Sequence, residues 1–291
     1  MLSQIVKIEG SDWRALSVRP EWTQALEEGK ILYFPELAFE LKAQERGLLN
    51  PQVRDHRSRN ISLNIDGTLK GAAGDAGARQ QVAAMIQRFR DQAVDLVSRL
   101  FPEYARVLRM APTSYRPMQV QSREQSWRAD DKRMHVDAFP SRPNHGDRIL
   151  RVFTNVNPDG VPRAWRIGES FPSVAQTFVP RAKPYVRWQA KLLRALHVTK
   201  SFRSEYDHLM LQLHDGMKRD MDYQHHAPQE FVEFAAGSTW VCFSDQAVHA
   251  AMAGQYMLEQ TLFLPSGSEY DPLSSPLSIL TRMKGHSLVD V

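Results

Sequence analysis

The chain has 291 residues, of which 42% are hydrophobic and 24% charged, a balance typical of a soluble protein with a substantial core. No stretch approaches the roughly 20 apolar residues of a bilayer-spanning helix, the first residues lack the pattern of a secretory signal, and the single cysteine, Cys242, excludes an internal disulfide. We therefore expect a cytoplasmic protein. Its net charge of +4 suits an anionic substrate or an anionic membrane face, and an ordinary solvated basic surface explains the charge at least as well. No motif indicates nucleic-acid binding.

Residues 79–101 have the strongest helical pattern in the chain. Apolar side chains recur there at spacings of one, three and four residues, which places them in one stripe along a helix. The stripe consists of Val82, Met85, Ile86, Phe89, Ala93, Leu96, Val97 and Leu100. Pro102 follows as a stop signal, and a sheet is the expected partner of the stripe.

Short strands are predicted from about residue 104 onward. The clearest covers residues 149–156, where the side chains alternate with the period of a strand. One set is Leu150, Val152, Thr154 and Val156, and the other is Arg151, Phe153 and Asn155. Two earlier strands are predicted over residues 115–121 and 133–139, and the Pro- and Gly-containing residues 140–147 predict a loop.

Residues 161–220 predict an insertion in this β region. Four prolines divide its first half into irregular pieces, and two short helices follow, one over residues 188–197 and one that begins after Ser204. Strand character returns at residues 238–243, 247–251 and 256–264. The Ser- and Pro-rich tail after Pro265 is predicted to be irregular.

This order of elements predicts one domain, residues 1–291, of mainly β structure with helices (α+β). Residues 1–103 form a helical N-terminal support, and residues 104–265 form an antiparallel barrel or sandwich with the insertion at 161–220. Residues 266–291 form a C-terminal tail.

A histidine and an aspartate stand two residues apart at His135 and Asp137, on the predicted strand 133–139. Side chains at positions i and i+2 share one face of a strand, so both can reach one ion. His145 and Asp147 have the same spacing, but they fall in the predicted loop, where no pleat aligns the two side chains. The first pair is therefore the favoured one.

A second histidine from a distant strand would complete a 2-His-1-carboxylate triad, which suits non-haem Fe(II) and leaves positions open for oxygen chemistry. His249, on the predicted strand 247–251, is the best candidate. His214, in a predicted helix, and His225-His226, in a polar loop, are weaker competitors.

Four segments around these residues resemble the bacterial Kdo hydroxylases. They are Arg133-Met-His-Val-Asp-Ala-Phe-Pro-Ser-Arg-Pro143, Gly146-Asp-Arg-Ile-Leu-Arg-Val-Phe-Thr-Asn-Val-Asn-Pro158, Trp240-Val-Cys-Phe-Ser-Asp-Gln-Ala-Val-His249 and Leu258-Glu-Gln-Thr261. The resemblance covers most of the chain and is sharpest between residues 114 and 265. It implies a double-stranded β-helix (jelly-roll, cupin-like) core, braced by the N-terminal helices and interrupted by the helical insertion.

The resemblance also implies an activity. Enzymes of this family use Fe(II), 2-oxoglutarate and O2 to hydroxylate the 3-position of 3-deoxy-D-manno-oct-2-ulosonic acid (Kdo) in the lipopolysaccharide inner core, with release of succinate and CO2. The implied partner is a Kdo-containing lipid A precursor, which leaves peripheral contact with the inner face of the inner membrane open. His135, Asp137 and His249 are then the metal-binding and catalytic residues. The sequence does not indicate an oligomeric state.

This chain departs from the wider superfamily at the position of the cation that binds the distal carboxylate of 2-oxoglutarate. Many members have an arginine about ten residues after the second histidine, where this chain has Glu259 and Gln260. Arg151 is the best substitute, because it alternates with the apolar set of its strand, and Arg148 is the second. Asn155 and Gln260 are further predicted cosubstrate-binding residues.

The insertion at 161–220 and the arginines around positions 123 to 142 are predicted to form the mouth of the site, and nearby aromatic residues are predicted to wall the pocket. The predicted substrate-binding residues are Trp127, Arg128, Arg133, Phe139 and Arg142. Two alternatives remain open: a 2-oxoglutarate-dependent hydroxylase of a protein or other anionic target, and a sugar- or lipid-binding barrel without catalysis. A metal-dependent barrel isomerase is less favoured, because it would normally place more histidines around the ion.

Overall fold

The structure is a computed structural model that describes residues 3–120 and 126–289. Gln121, the end of one predicted strand, and part of the predicted mouth segment 123–142 lie outside the described residues. The strands are β1 (Ile5–Lys7), β2 (Ile31–Phe34), β3 (Ile61–Leu63), β4 (Leu69–Lys70), β5 (Arg109–Arg116), β6 (Arg148–Asn155), β7 (Arg163–Gly168), β8 (Gln229–Phe234), β9 (Thr239–Phe243), β10 (His249–Ala251) and β11 (Met257–Leu264). The helices are α1 (Pro20–Glu27), α2 (Ala76–Leu100), α3 (Pro102–Ala105), α4 (Phe171–Phe178), α5 (Arg187–Ala195), α6 (Glu205–Arg219), α7 (Met221–His226) and α8 (Pro276–Lys284).

Within the described residues the strands form two sheets. The larger sheet has eight strands in the order β1-β2-β9-β6-β11-β5-β3-β4, and the smaller has three in the order β10-β7-β8. β1 and β2 pair in parallel, and the other pairs are antiparallel. Two facing sheets of this kind confirm the predicted fold class, which is mainly β with helices around a jelly-roll core.

Aromatic side chains fill much of the space between the two sheets. Phe153 on β6 and Trp240 on β9 point inward from the larger sheet, and their ring centroids are 5.3 Å apart. Trp165 on β7 and Phe234 on β8 meet them from the smaller sheet, with Phe234 stacked on Trp240 at 4.2 Å. Rings of this size hold the sheets apart at a fixed distance and leave a cavity beyond them.

The predicted N-terminal helix is confirmed as α2, and it packs on the outer face of the larger sheet. Every member of its apolar stripe is buried. The stripe shares one core cluster with Leu150 and Val152 of β6 and Leu258 of β11. Because the apolar set of β6 faces the helix, the alternate set, which includes Arg151 and Phe153, faces the space between the sheets.

A second helical layer covers the smaller sheet from outside. The layer consists of α4, α6 and α8, whose apolar residues share a cluster with Met134, Val136, Val248 and Ala250. None of the described helices is both long enough and apolar enough to span a bilayer.

Several local predictions are wrong. The predicted strand 133–139 is extended chain with a single bridge at His135, because His135 bonds to His249 whereas Asp137 bonds to Ser244, outside any ladder. The predicted strand 115–121 ends at Arg116, since Pro117 has no N–H for the ladder. Strand β7 lies inside the insertion that was expected to begin irregularly, and β8 was not predicted.

The tail also departs from its prediction, because residues 276–284 form α8. Ser275 accepts a hydrogen bond from the N–H of Ser278 at 3.2 Å, and Pro276 occupies the first helical turn. Ser followed by Pro is a helix-start signal as well as a loop signal. The burial of Ile279 and Leu280 against the second helical layer decides between the two.

Candidate active site

A cavity of about 260 Å³ lies between the sheets, beyond the aromatic core. The described residues that line it include His135, Asp137 and His249. The same three residues are the one group of potential metal ligands found among the described residues, and their ligand atoms lie within 4.8 Å of one another.

The segment 134–137 aims His135 and Asp137 into the cavity by alternation. Met134 and Val136 are buried in the second helical layer, so the side chains between and after them point the opposite way. Two hydrogen bonds to residues 244–249 hold the backbone: the N–H of His135 donates to the carbonyl of His249 at 3.0 Å, and that of Asp137 donates to the carbonyl of Ser244 at 2.8 Å. An extended segment therefore suffices for the i, i+2 geometry that the sequence analysis assigned to a strand.

His249 is aimed in the same manner from β10. Val248 and Ala250 pack outward against the helices, and His249 points inward with its ring stacked on Trp165 at 5.1 Å. His249 pairs with Ile167 of β7 on one side and bridges His135 on the other. The smaller sheet thus joins residues that are far apart in the sequence.

Both histidines present the nitrogen that a metal requires. Nδ1 of His135 is 2.7 Å from the carbonyl oxygen of Arg133, and Nδ1 of His249 is 2.8 Å from that of Ala247. A carbonyl can only accept, so each Nδ1 carries the proton and each Nε2 keeps a free lone pair. His135 Nε2 is 3.7 Å from Asp137 Oδ1, a separation compatible with two ligands of one ion.

The environment sets the charges that a divalent cation prefers. Burial lowers the pKa of His135 to about 4 and also lowers that of His249, so both rings are neutral at neutral pH. Burial opposes ionisation of Asp137, but the Arg151 guanidinium and the two histidines hold the pKa of its carboxyl well below its usual range. Two neutral imidazoles and one carboxylate form a donor set that fits Fe(II).

Arg151 reaches the cavity, as the alternation of β6 predicts. Its guanidinium is 3.0 Å from Asp137 Oδ2 and 2.9 Å from Glu259 Oε1. Glu259 is buried and is also 2.6 Å from Arg116. Although burial opposes its ionisation, these two arginines lower the pKa of Glu259. A charged network thus connects a predicted metal ligand to cations on β5 and β6.

The other predicted cosubstrate residues do not line the cavity. Arg148 lies on the opposite face of β6, where its Nε is 2.7 Å from Asp245. Gln260 faces α2 and bonds to Thr113 at 2.6 Å. The Asn155 amide donates to the carbonyls of Val161 and Phe234, both at 3.1 Å. The pleat turns Arg148 and Gln260 away from the cavity. The side chain of Asn155, at the end of its strand, is engaged by these two backbone carbonyls.

The predicted substrate residues separate into two groups. Phe139 lines the cavity and also an adjoining outer groove of about 730 Å³, which Arg142 lines as well. Trp127, Arg128 and Arg133 lie against α6 instead. Arg128 stacks on Trp127 at 4.1 Å and pairs with Asp215 at 2.9 Å, and Arg133 donates to the carbonyl of Lys218 at 2.8 Å.

Sequence reasoning missed three arginines that line the cavity, namely Arg59, Arg116 and Arg163. It also missed Trp165, which stacks on His249. The sequence held a signal for Arg163 and Trp165, since residues 163–168 alternate with the period of a strand. Pro162 and the turn before it favoured a loop instead. Arg59 lies in a loop, and no local pattern distinguishes it from other loop arginines.

The competing histidines occupy other positions. His145 is 3.5 Å from Asp207 and Asp147 pairs with Arg109, so the second His-x-Asp pair is divided between two partners. His225 and His226 are exposed on α7. His214, on α6, packs its ring edge against the His135 ring at 5.4 Å. It is not one of the three grouped ligands.

Comparisons with known proteins agree with this geometry. The model of the family described as 3-deoxy-D-manno-oct-2-ulosonic acid (Kdo) hydroxylase matches residues 11–287. No curated protein sequence matches the chain. Similar solved structures include crystal structures of the Kdo hydroxylase KdoO, a non-haem Fe(II) α-ketoglutarate-dependent dioxygenase.

Three KdoO structures illustrate the similarity, each with 39% sequence identity. The cobalt(II) complex has a TM-score of 0.94 over 99% of this chain and 98% of that one. The complex with α-ketoglutarate and Fe(III) has a TM-score of 0.92 over 98% and 97%. The complex with succinate and Fe(III) has a TM-score of 0.93 over 99% and 98%.

Proposed function

The chain belongs to the Kdo hydroxylase family, a family of Fe(II)- and 2-oxoglutarate-dependent dioxygenases, and from this premise we propose that it hydroxylates the 3-position of Kdo in a lipid A precursor. The observation that carries the proposal is the convergence of His135, Asp137 and His249 in a cavity rich in arginine. The proposed products are hydroxylated Kdo, succinate and CO2.

His135, Asp137 and His249 are the proposed ligands of Fe(II). Their donor atoms are prepared before any ion arrives, because backbone carbonyls hold both Nδ1–H groups and Arg151 holds the carboxylate in its ionised form. Fe(II), when bound with 2-oxoglutarate and O2, supplies the chemistry that places a hydroxyl on a C–H bond. With three protein ligands, the ion would keep coordination positions open for these small molecules.

Arg151, Arg116 and Arg163 are the proposed cations for 2-oxoglutarate. Among the described lining residues, four arginines face three carboxylates, which are Asp131, Asp137 and Glu259. Bound Fe(II) and dianionic cosubstrate would therefore leave a net positive charge in the cavity. This excess favours an anionic sugar such as Kdo.

Arg59 and the outer groove are the proposed contacts for the sugar and for the lipid to which it is attached. Phe139 and Arg151 line both the cavity and the groove, so the two spaces adjoin. Lys70, Arg109 and Arg142 give the groove a basic lining that suits the phosphates of lipid A. We propose that the enzyme works in the cytoplasm, in peripheral contact with the inner membrane.

Anaerobic titration of Fe(II) and 2-oxoglutarate tests the site independently of turnover. We expect a visible metal-to-ligand charge-transfer band in the wild-type protein, loss of the band in His249→Ala, and retention of the band in the matched control His145→Ala. A band of equal intensity in folded His249→Ala would overturn the proposed ligand set.

Succinate release tests the substrate. We expect release to increase with Kdo–lipid A, to be lower with free Kdo, and to stay at the uncoupled level with an acidic peptide. Stimulation by the peptide alone would favour a protein target. A charge-transfer band without any substrate-dependent oxidation would refute the sugar assignment and leave the metal site in place.

A further inference from the structure

The first helix of the insertion carries an apolar stripe on its surface, formed by Trp188, Leu192 and Leu196. Their exposed fractions are 64%, 48% and 63%, and Val198 beyond them is 52% exposed. Side chains of this size are normally buried in a soluble chain, and single exposed ones are common, but a contiguous group indicates a binding surface. We call this group the α5 stripe.

The α5 stripe follows from helix geometry. Its members are spaced four residues apart, so they lie on one face of the helix and its C-terminal turn. Ala190, the buried residue of α5, points to the opposite side, toward the protein. The protein core therefore uses one face of α5, and the apolar stripe faces outward.

Positive charge accompanies the stripe without any compensating acid on the same segment. Residues 170–204 contain seven Arg or Lys residues and no Asp or Glu. Lys191 and Arg194 are exposed beside the stripe, and they line a surface hollow together with Arg187 and His197. An apolar stripe bordered by cations is the pattern of a helix that lies in the interface of an anionic bilayer, with tryptophan at headgroup depth.

Hydrogen bonds connect the segment that follows the stripe to the proposed entrance of the active site. The segment after α5 holds the loop 140–145: the N–H of Lys200 donates to the carbonyl of Ser141 at 2.9 Å, and Arg203 donates to that of Pro140 at 2.5 Å. Residues 140–144 line the outer groove. A surface bound through α5 is thus tied to the wall of the groove.

Charge argues against a second copy of this chain as the occupant. A twofold contact through the stripe would bring the exposed Lys191 and Arg194 of both protomers together, and residues 170–204 contain no acidic residue to pair them. Anionic headgroups satisfy the cations and the apolar stripe at the same time.

We propose that α5 and its basic flanks, residues 181–203, dock the protein on an anionic phospholipid bilayer. The stripe inserts at the level of the headgroups, and the exposed Lys191 and Arg194 beside it pair with lipid phosphates. That the bilayer carries the substrate rests on the proposed function. The docking itself rests on the exposed stripe and its charge.

Co-sedimentation with phosphatidylcholine vesicles, with and without phosphatidylglycerol, tests the proposal. We expect wild-type protein to bind only the anionic vesicles, less as salt increases, and we expect Trp188→Gln/Leu192→Gln to lose about tenfold or more in affinity. Phe231→Gln/Leu273→Gln is the matched control, since these residues are exposed to 62% and 65% elsewhere on the surface and should bind as wild type does.

Three results would overturn the proposal: no binding by the wild-type protein, equal binding by the stripe variant, or equal loss in the matched control. A change in sedimentation velocity caused by the stripe variant without vesicles would instead identify a second copy as the occupant. The charge-transfer band and succinate release with free Kdo should be unchanged in the stripe variant. Vesicle binding therefore tests the docking, whereas the charge-transfer band and succinate release test the proposed function. A failure of one is thus distinguishable from a failure of the other.

Discussion

Substitution of Arg148 by Met should destabilise the protein strongly and leave cosubstrate binding intact. Arg148 is fully buried, its guanidinium lies 3.9 Å from the Phe243 ring centroid, and its Nε is 2.7 Å from Asp245. Asp245 is fully buried as well. Met preserves much of the packing volume but leaves the carboxylate without its counter-ion.

The expected cost is about 3–5 kcal/mol, because a buried charge that loses its partner has no water to replace it. This is a large share of the roughly 5–15 kcal/mol that stabilises a typical domain. Urea unfolding at neutral pH measures it. Arg148→Met/Asp245→Asn should recover part of the loss, since the second change removes the uncompensated charge while its amide oxygen can still accept from the N–H of Ile149, as Asp245 does at 3.0 Å.

The same preparations discriminate between the two arginines that the sequence nominated for the cosubstrate. Folded Arg148→Met should bind 2-oxoglutarate with wild-type affinity, whereas Arg151→Met should bind it more weakly, because Arg151 lines the cavity. An unchanged urea midpoint for Arg148→Met, or weakened 2-oxoglutarate binding in that variant alone, would refute this reasoning.

Two further predictions concern the supports of the site and the tail. Gly168→Ala should cost about 1–3 kcal/mol of folding stability and weaken Co(II) binding, because the added Cβ would lie 2.5 Å from the side chains of Met134 and Val248, next to two proposed ligands. Gly47→Ala is the control, since its added Cβ would meet nothing within 4 Å. Equal melting temperatures for the two variants would contradict this prediction. Glu269→Gln should stabilise the protein at pH 8. Burial raises the pKa of this carboxyl, so stability is lost as pH rises through that pKa, and the advantage of Gln should vanish toward acid pH in urea titrations.

Much of the architecture was predictable because it depends on local periodicity. The stripe of α2 and the alternation of β6 are properties of neighbouring residues, and the structure contains both elements within a few residues of their predicted bounds. The proximity of His135 and Asp137 follows from an extended backbone alone, so it survives the absence of a regular strand there. The pairing of that segment with His249 was inferable from the chemistry of a three-ligand site, and its role in metal binding stays a prediction.

The remaining residues of the site depend on which segments meet. Arg59, Arg116 and Arg163 come from a loop and two strands, and nothing in their local sequence indicates a shared cavity. Arg148 and Arg151 are three residues apart on one strand, and only the side on which α2 packs decides which of them faces inward. The helical pattern around Trp188 likewise does not determine that this side chain is exposed to solvent. A periodic apolar stripe looks the same in sequence whether a core or a membrane covers it. Burial and convergence depend on all the elements together, whereas periodicity is a property of a few neighbouring residues.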